Sequence, residues 1–215
     1  MIKKFAIALF ALASMAFSAN AQLYVGGSLG FSNSNSKEVD DGKTELNPSQ
    51  TTIGFSPEVG FFLSEQFAVG AYINTNFTFS NNRDTENQIK SNTIVWGITP
   101  YARWYPIQSD KFGLFLEGQL FFRHEGGKTK VAGVAADAPK TNAFGLQIVP
   151  GLSYNLTDNL QLQLRLDVLG ANFTHTTITS ADGKNKEISN NCGFNFNSRN
   201  ALRLANVQVG FIYKF

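Results

Sequence analysis

The chain has 215 residues, with 18 Lys and Arg against 16 Asp and Glu and a formal net charge of +2. That balance leaves no electrostatic footprint for nucleic acid and no bias toward acidic partners. The one cysteine, Cys192, excludes an internal disulfide framework, and beyond the first 21 residues no run approaches the roughly 20 apolar residues of a membrane-spanning helix.

Residues 1–21 read as a secretory signal peptide. Lys3 and Lys4 precede an apolar run from Phe5 to Phe17, which ends in Ala19-Asn20-Ala21. Charge, apolar run and small residues at Ala19 and Ala21 are the order that a signal peptidase cuts. Cleavage there leaves one domain, residues 22–215, with a formal charge of 0 once Lys3 and Lys4 are gone (+2 − 2). No cysteine follows the apolar run, which argues against a lipid-anchored amino terminus.

The first strand follows directly. Leu23, Val25, Gly27, Leu29 and Phe31 alternate with Tyr24, Gly26, Ser28 and Gly30. A period of two with one apolar face is a strand bordering an apolar phase on one side only. A polar loop is expected over 33–50. The second strand, 52–63, turns at Ser64-Glu65-Gln66 into the third, 67–79, and 81–90 is polar again. The fourth, 92–106, turns at 108–111 into the fifth, 112–123, before a loop over 124–140. The sixth, 142–156, turns at 157–159 into the seventh, where Leu160, Leu162, Leu164, Leu166 and Val168 alternate with Gln161, Gln163, Arg165 and Asp167. This alternation blurs after Gly170, and 174–198 reads as the longest loop. The eighth strand places Val207, Val209, Phe211, Tyr213 and Phe215 on one face.

A repeat supports the count. The seven residues from Pro57, Pro100, Pro150 and Val209 share an apolar third position and an aromatic fifth position: Phe61, Trp104, Tyr154 and Tyr213. The starts lie 43, 50 and 59 residues apart, and the growth falls in the loops. The three prolines cannot donate to a ladder, and a closed barrel offers no edge strand, so they are expected at bulges.

These observations predict an all-β fold, a closed eight-stranded antiparallel up-and-down transmembrane β-barrel. In lipid every backbone polar group needs a partner, so strands span only as a closed barrel. Outward aromatics form two bands. Phe61, Phe67, Trp104, Phe112, Tyr154, Tyr213 and Phe215 lie near the tight turns; Phe31, Phe77, Phe79, Phe122 and Phe144 lie near the long loops. A soluble barrel with an apolar interior would show the same alternation, but it explains neither the two bands nor the asymmetry of the connections.

The other face carries the most specific constellation. Glu58, Arg103, Glu117, Arg165 and Asp167 lie three to seven residues from the tight-turn ends of their strands and are expected to form one interior layer. Arginine bridges two carboxylates bidentately. The layer is either a gate on an ion path or a hydrogen-bonded core. Eight strands leave room for side chains and little else, which favours the core.

The remaining candidates are weaker. His124 and His175 fall at loop ends with Ser180, Asp182 and Ser189 nearby, but no spacing forces a base onto a nucleophile. Two histidines and one distant cysteine make no metal signature, Asp40-Asp41-Gly42 reads as a turn, and no glycine loop cradles phosphate. No cofactor and no metal site are expected.

Together, the Ala19-Asn20-Ala21 ending, the repeated strand endings, the interior Glu58, Arg103, Glu117 and Arg165, and terminal Phe215 resemble the small eight-stranded outer-membrane barrels of the OmpA/OmpX-like class. They are closest to its short porin-family or outer membrane protein beta-barrel members. The resemblance covers residues 22–215. It implies a bacterial outer-membrane location, contact with outer-membrane lipid and lipopolysaccharide, and recognition of Tyr213 and Phe215 by the barrel-assembly machinery. No peptidoglycan-binding domain follows Phe215, so a cell-wall tether is not supported. The expected function is non-enzymatic: a structural or surface-binding barrel acting through loops 33–50 and 174–198. The alternatives are a narrow channel for small solutes or a lipid A-modifying enzyme.

Overall fold

The computed structural model describes residues 21–34, 37–40, 43–46, 49–82, 89–131, 134–166, 169–196 and 207–215. Their regular structure is all β. In chain order it comprises β1 (Gln22–Ser34), β2 (Lys37–Asp40), β3 (Lys43–Leu46), β4 (Ser49–Ser64), β5 (Phe67–Asn82), β6 (Ile89–Gln108) and β7 (Phe112–Val131). It continues with β8 (Val134–Asp137), β9 (Lys140–Asn155), β10 (Leu160–Leu166), β11 (Leu169–Thr179), β12 (Lys186–Phe196) and β13 (Val207–Lys214). Neighbours run β1, β4, β5, β6, β7, β9, β10, β13 and back to β1, all antiparallel. The chain is a closed eight-stranded barrel, in which β11 takes over from β10 along β9 and pairs with β12.

The alternation decides which face is inside. Phe31, Phe55, Ile73, Trp96, Leu120, Phe144 and Phe211 are all exposed on the outer wall, whereas Tyr24, Ser28, Ser56, Glu58, Thr99, Arg103, Glu117 and Arg165 are buried within. The sense is opposite to that of a soluble barrel with an apolar interior, and both aromatic bands face outward. Where a stave approaches its neighbour closely, a glycine makes room. The Tyr24 ring occupies the space a Cβ at Gly60 would need, Tyr101 fills that of Gly70, and Phe115 fills that of Gly151.

The sequence repeat has a physical basis at the tight-turn end. Its sixth position donates a backbone hydrogen bond to a neighbouring turn: Tyr105 to Gln66 (2.9 Å), Asn155 to Lys111 (2.8 Å) and Lys214 to Asn159 (2.7 Å). Phe215 N–H closes the circle on the Leu23 carbonyl at 2.9 Å.

The prolines correct an expectation. Pro57 pairs in register with Gly27, Pro100 with Ala71 and Pro150 with Leu116, each on the preceding stave. Toward the following stave the ladder skips the proline, from Phe55 to Glu58 on β4 and from Ile98 to Tyr101 on β6, with no change of register. A strand residue bonds through its N–H on one side only, so the missing donor costs one rung and leaves the other neighbour untouched. The bulges fall elsewhere, between Phe62 and Ser64 and between Trp104 and Ile107, beside the tight turns.

Pro150 does face a large irregularity. Along β9 the register moves from Arg165↔Gly151 to Ala171↔Ile148, six residues on one strand against three on the other. An odd difference of three inverts which residues point inward. Arg165 and Asn172 therefore both face the interior, and the alternation blurs after Gly170 for this reason.

The long connections are also corrected. Much of what reads as loop is strand: β7 continues to Val131 and pairs with β8, β11 pairs with β12 from Leu169↔Phe196 to Thr179↔Lys186, and β2 pairs with β3. Outside lipid the apolar alternation ends, but Thr, Asn and Ser still pair across strands. Asp40 pairs with Lys43 around Asp41-Gly42; residues 41–42 lie outside the described residues. So do Asp167 and Ala19.

Candidate functional site: a closed ring of ion pairs

Four in-phase positions on four staves meet at mid-barrel. Glu58 (β4), Arg103 (β6), Glu117 (β7) and Arg165 (β10) are each at most 5% exposed. Arg103 Nη2 lies 3.0 Å from Glu58 Oε1 and 2.5 Å from Glu117 Oε2. Arg165 Nη2 lies 2.8 Å from Glu58 Oε2, and its Nε 3.1 Å from Glu117 Oε1. Each arginine bridges both acids and each acid bridges both arginines, so the ring closes and its net charge is zero. Asp167, expected in this layer, falls outside the described residues, and the four charges balance without it.

Neutral groups complete the ring. Tyr101 Oη donates to Glu58 Oε1 and is itself hydrogen-bonded to Tyr24 Oη. Gln119 Nε2 donates to Glu117 Oε1 at 2.7 Å, and Gln147 Nε2 donates to Gln119. Arg103 Nη1 donates to Tyr105 Oη at 3.2 Å. The Arg103 guanidinium is flanked by the rings of Tyr101 and Phe115, at 4.8 and 4.7 Å, and Arg165 lies 5.1 Å from the Tyr72 ring. Two carboxylates removed from water need this density of charged donors. Without them the desolvation cost of several kcal/mol per ion would stand unopposed.

Tyr24, Tyr101, Tyr105, Phe115 and Gln119 escape a reading based on charge alone. The signal for four of them was position. Tyr101 and Tyr105 flank Arg103, and Phe115 and Gln119 flank Glu117, each two residues away on the same face. Tyr24 reaches the site only through the β1–β4 register.

The ring divides the interior. On the long-hairpin side, a polar cavity of about 590 Å³ is bounded by Asn74, Gln119, Arg123, Gln147 and Asn172. On the tight-turn side, a smaller one of about 260 Å³ is bounded by Gln22, Phe62, Gln161 and Lys214. The ring and the aromatic rings around it stand between the two.

Among the described residues neither histidine is hydrogen-bonded to a nucleophile. His124 Nδ1 is hydrogen-bonded to Asn142 Oδ1 (2.7 Å) and His175 Nδ1 to Asn190 Oδ1 (2.8 Å), with Trp96 and Phe144 against the respective rings. Ser180 Oγ donates to Asp182 Oδ1 at 2.5 Å within the β11–β12 turn. That bond and the Lys184 N–H hold the Asp182 carboxyl below the usual carboxylate range. Cys192 is an exposed free thiol on β12. Tyr213 and Phe215 face outward beside each other, ring centroids 5.1 Å apart. Among the described residues no group of His, Cys, Asp and Glu could hold a metal ion.

Residues 5–215 match the family described as "Outer membrane protein beta-barrel domain". No curated protein matches the chain. Among solved structures it is similar to Ail, the attachment invasion locus protein of Yersinia pestis, at 14% identity and TM-score 0.44, over 92% of this chain and 99% of that one. It is similar also to Neisserial surface protein A, at 14% and 0.39, over 91% and 99%. A third is a major outer membrane protein of Thermus thermophilus, at 13% and 0.44, over 91% and 100%.

Proposed function

Because the chain belongs to the outer membrane protein beta-barrel domain family, we propose that it is a non-enzymatic outer-membrane barrel whose work is done on its outside. The observation that carries this reading is the neutral ring of Glu58, Arg103, Glu117 and Arg165, which fills the cross-section as a core does. An eight-stranded barrel so filled is a rigid stake. It holds the hairpins β7–β8 and β11–β12 beyond the membrane, where a surface ligand or another cell is within reach. In this reading residues 1–21 are the signal peptide, cut after Ala21. Tyr213 and Phe215 present the last strand to the assembly machinery, and outer-membrane lipid and lipopolysaccharide surround the wall.

The test is to trim the β11–β12 hairpin in register. Removing residues 178–187 and rejoining through a two-residue turn keeps the Thr177↔Ile188 pair. Cells displaying the trimmed barrel should adhere less to cell layers and glycan-coated surfaces, while the barrel keeps its heat-modifiable migration on gels. Unchanged adherence after trimming this hairpin, β7–β8 and β2–β3 together would contradict the reading.

A further inference from the structure

We propose that the cavity on the long-hairpin side of the ion-pair ring is a binding cup for a neutral saccharide. This goes beyond the reading above, because it uses the barrel interior and none of the hairpins. The cup holds about 590 Å³, within the range of roughly 300–1,000 Å³ that small-molecule sites occupy. The ring is its floor, so binding here needs no passage through the barrel. Toward the hairpins its lining includes Arg123 and Glu125, both exposed.

The hollow is built by small residues. Eight strands leave room for side chains and little else, and in the ring layer Tyr101, Arg103 and Phe115 fill that room. Above it Gly30, Gly54 and Ala143 take inward positions. A Cβ on Gly54 would meet Asn76 Oδ1, and a Cβ on Gly30, its register partner, would meet nothing within 4 Å. Glycine inside a strand weakens it, and it marks places where another group comes close to the backbone.

The wall of the cup is polar and oriented. Register sets Gln119, Gln147 and Asn172 side by side across β7, β9 and β11. Their direction is fixed from below. The Glu117 carboxylate only accepts, so Gln119 gives it Nε2 (2.7 Å) and offers its own Oε1 to Gln147 Nε2. Gln147 Oε1 is left unspent. Gln208 likewise spends Nε2 on Ser28 Oγ at 2.7 Å and keeps its Oε1. Among the described residues, Asn76, Asn172, Thr174 and Thr176 also line the cup and make no side-chain hydrogen bond. Acceptors held in place beside unspent donors are a site set before its ligand arrives.

That pattern selects the ligand. A hydroxyl is donor and acceptor at one atom, so neighbouring hydroxyls match a row of amides. Among the described residues the charges on the lining are Arg123 and Glu125, which cancel, so neither an anion nor a cation is favoured. Val95, Ala143 and Phe121 supply apolar surface for the C–H face of a sugar ring. Arg123 lies over the Phe121 ring at 4.5 Å and adds donors.

The test uses the full barrel in phosphatidylcholine nanodiscs, titrated with lactose, maltose and N,N′-diacetylchitobiose and read by saturation-transfer NMR. At least one disaccharide should bind wild type, and Gln147→Leu/Asn172→Leu should weaken it at least tenfold. Ala143→Phe keeps every amide but fills the cup, and should weaken it as much. The barrel lacking residues 178–187 should bind as wild type does, whatever that trimming does to adherence. Failure of all three disaccharides to bind overturns the proposal. So does equal binding by wild type and Ala143→Phe, or loss of binding on the hairpin trimming. Equally tight binding of glycylglycine overturns the saccharide assignment. Beads carrying the bound disaccharide through its reducing end separate two supporting outcomes. Capture assigns the ligand to the end of a glycan chain, and binding of the free sugar without capture assigns it to a soluble saccharide. Heat-modifiable migration checks that each variant is folded.

Discussion

At the scale of the residue, the protein rests on charges that are expensive to isolate. Arg103 donates to Glu58, Glu117 and Tyr105 with no exposure of its own. Arg103→Met leaves two buried carboxylates short of donors and should cost about 3–5 kcal/mol in reversible urea unfolding from lipid vesicles. Adding Glu117→Gln to Arg103→Met should restore more than about 1 kcal/mol relative to the sum of the single effects, because the two residues share one network. Strict additivity would show that the ring is a set of independent contacts. The glycine beneath Phe115 makes a second case. Gly151→Val places methyl groups where the Phe115 ring sits, and should cost about 1–3 kcal/mol. The four charged members were legible in the sequence because a charge on an alternating face is conspicuous. The tyrosines were less so. On the polar face of a strand a tyrosine looks like a spacer, and only the cross-strand register brings Tyr101 onto Glu58 and Tyr24 onto Tyr101.

At the scale of the element, the eight staves and their inward and outward faces came through clearly, while strand length and cross-strand register did not. Alternation of apolar and polar residues reports contact with lipid, so it fades where the strand leaves the membrane even though backbone pairing continues. This is why β7 runs past Arg123 to Val131 and why 174–198 holds most of a hairpin. The prolines show the same separation of sequence signal from geometry. At Pro100 the rung toward β7 is absent, yet Ile98↔Phe122 and Tyr101↔Gln119 keep one register. Pro100→Val should therefore fold in the same register and gain about 0.5–1.5 kcal/mol from the restored rung, read by the same unfolding experiment. A loss of stability would mean that the interruption itself is required. The three-residue offset between β10 and β11 left one trace in the sequence, the alternation that blurs after Gly170, but a blur gives neither the size of the offset nor the new register.

At the scale of the whole molecule, the eight staves and the outward apolar belt combine into a closed wall, with the ion-pair ring across its polar interior. The outward aromatics were readable as two bands because hydrocarbon has two edges, and the charged layer because side chains on the inner face of so narrow a barrel must meet one another. What the hairpins bind was not readable, for no motif in them names a partner. The central claim is that the ion-pair ring closes the bore and leaves function to the exterior. Single-channel recording of the refolded barrel in a planar bilayer tests it most directly, with wild type beside Arg103→Ala/Arg165→Ala. The account predicts a silent wild type, with openings appearing only when both arginines are removed. Steady openings from the wild type that shift in conductance on Arg103→Ala would make the ring a gate, and would contradict it.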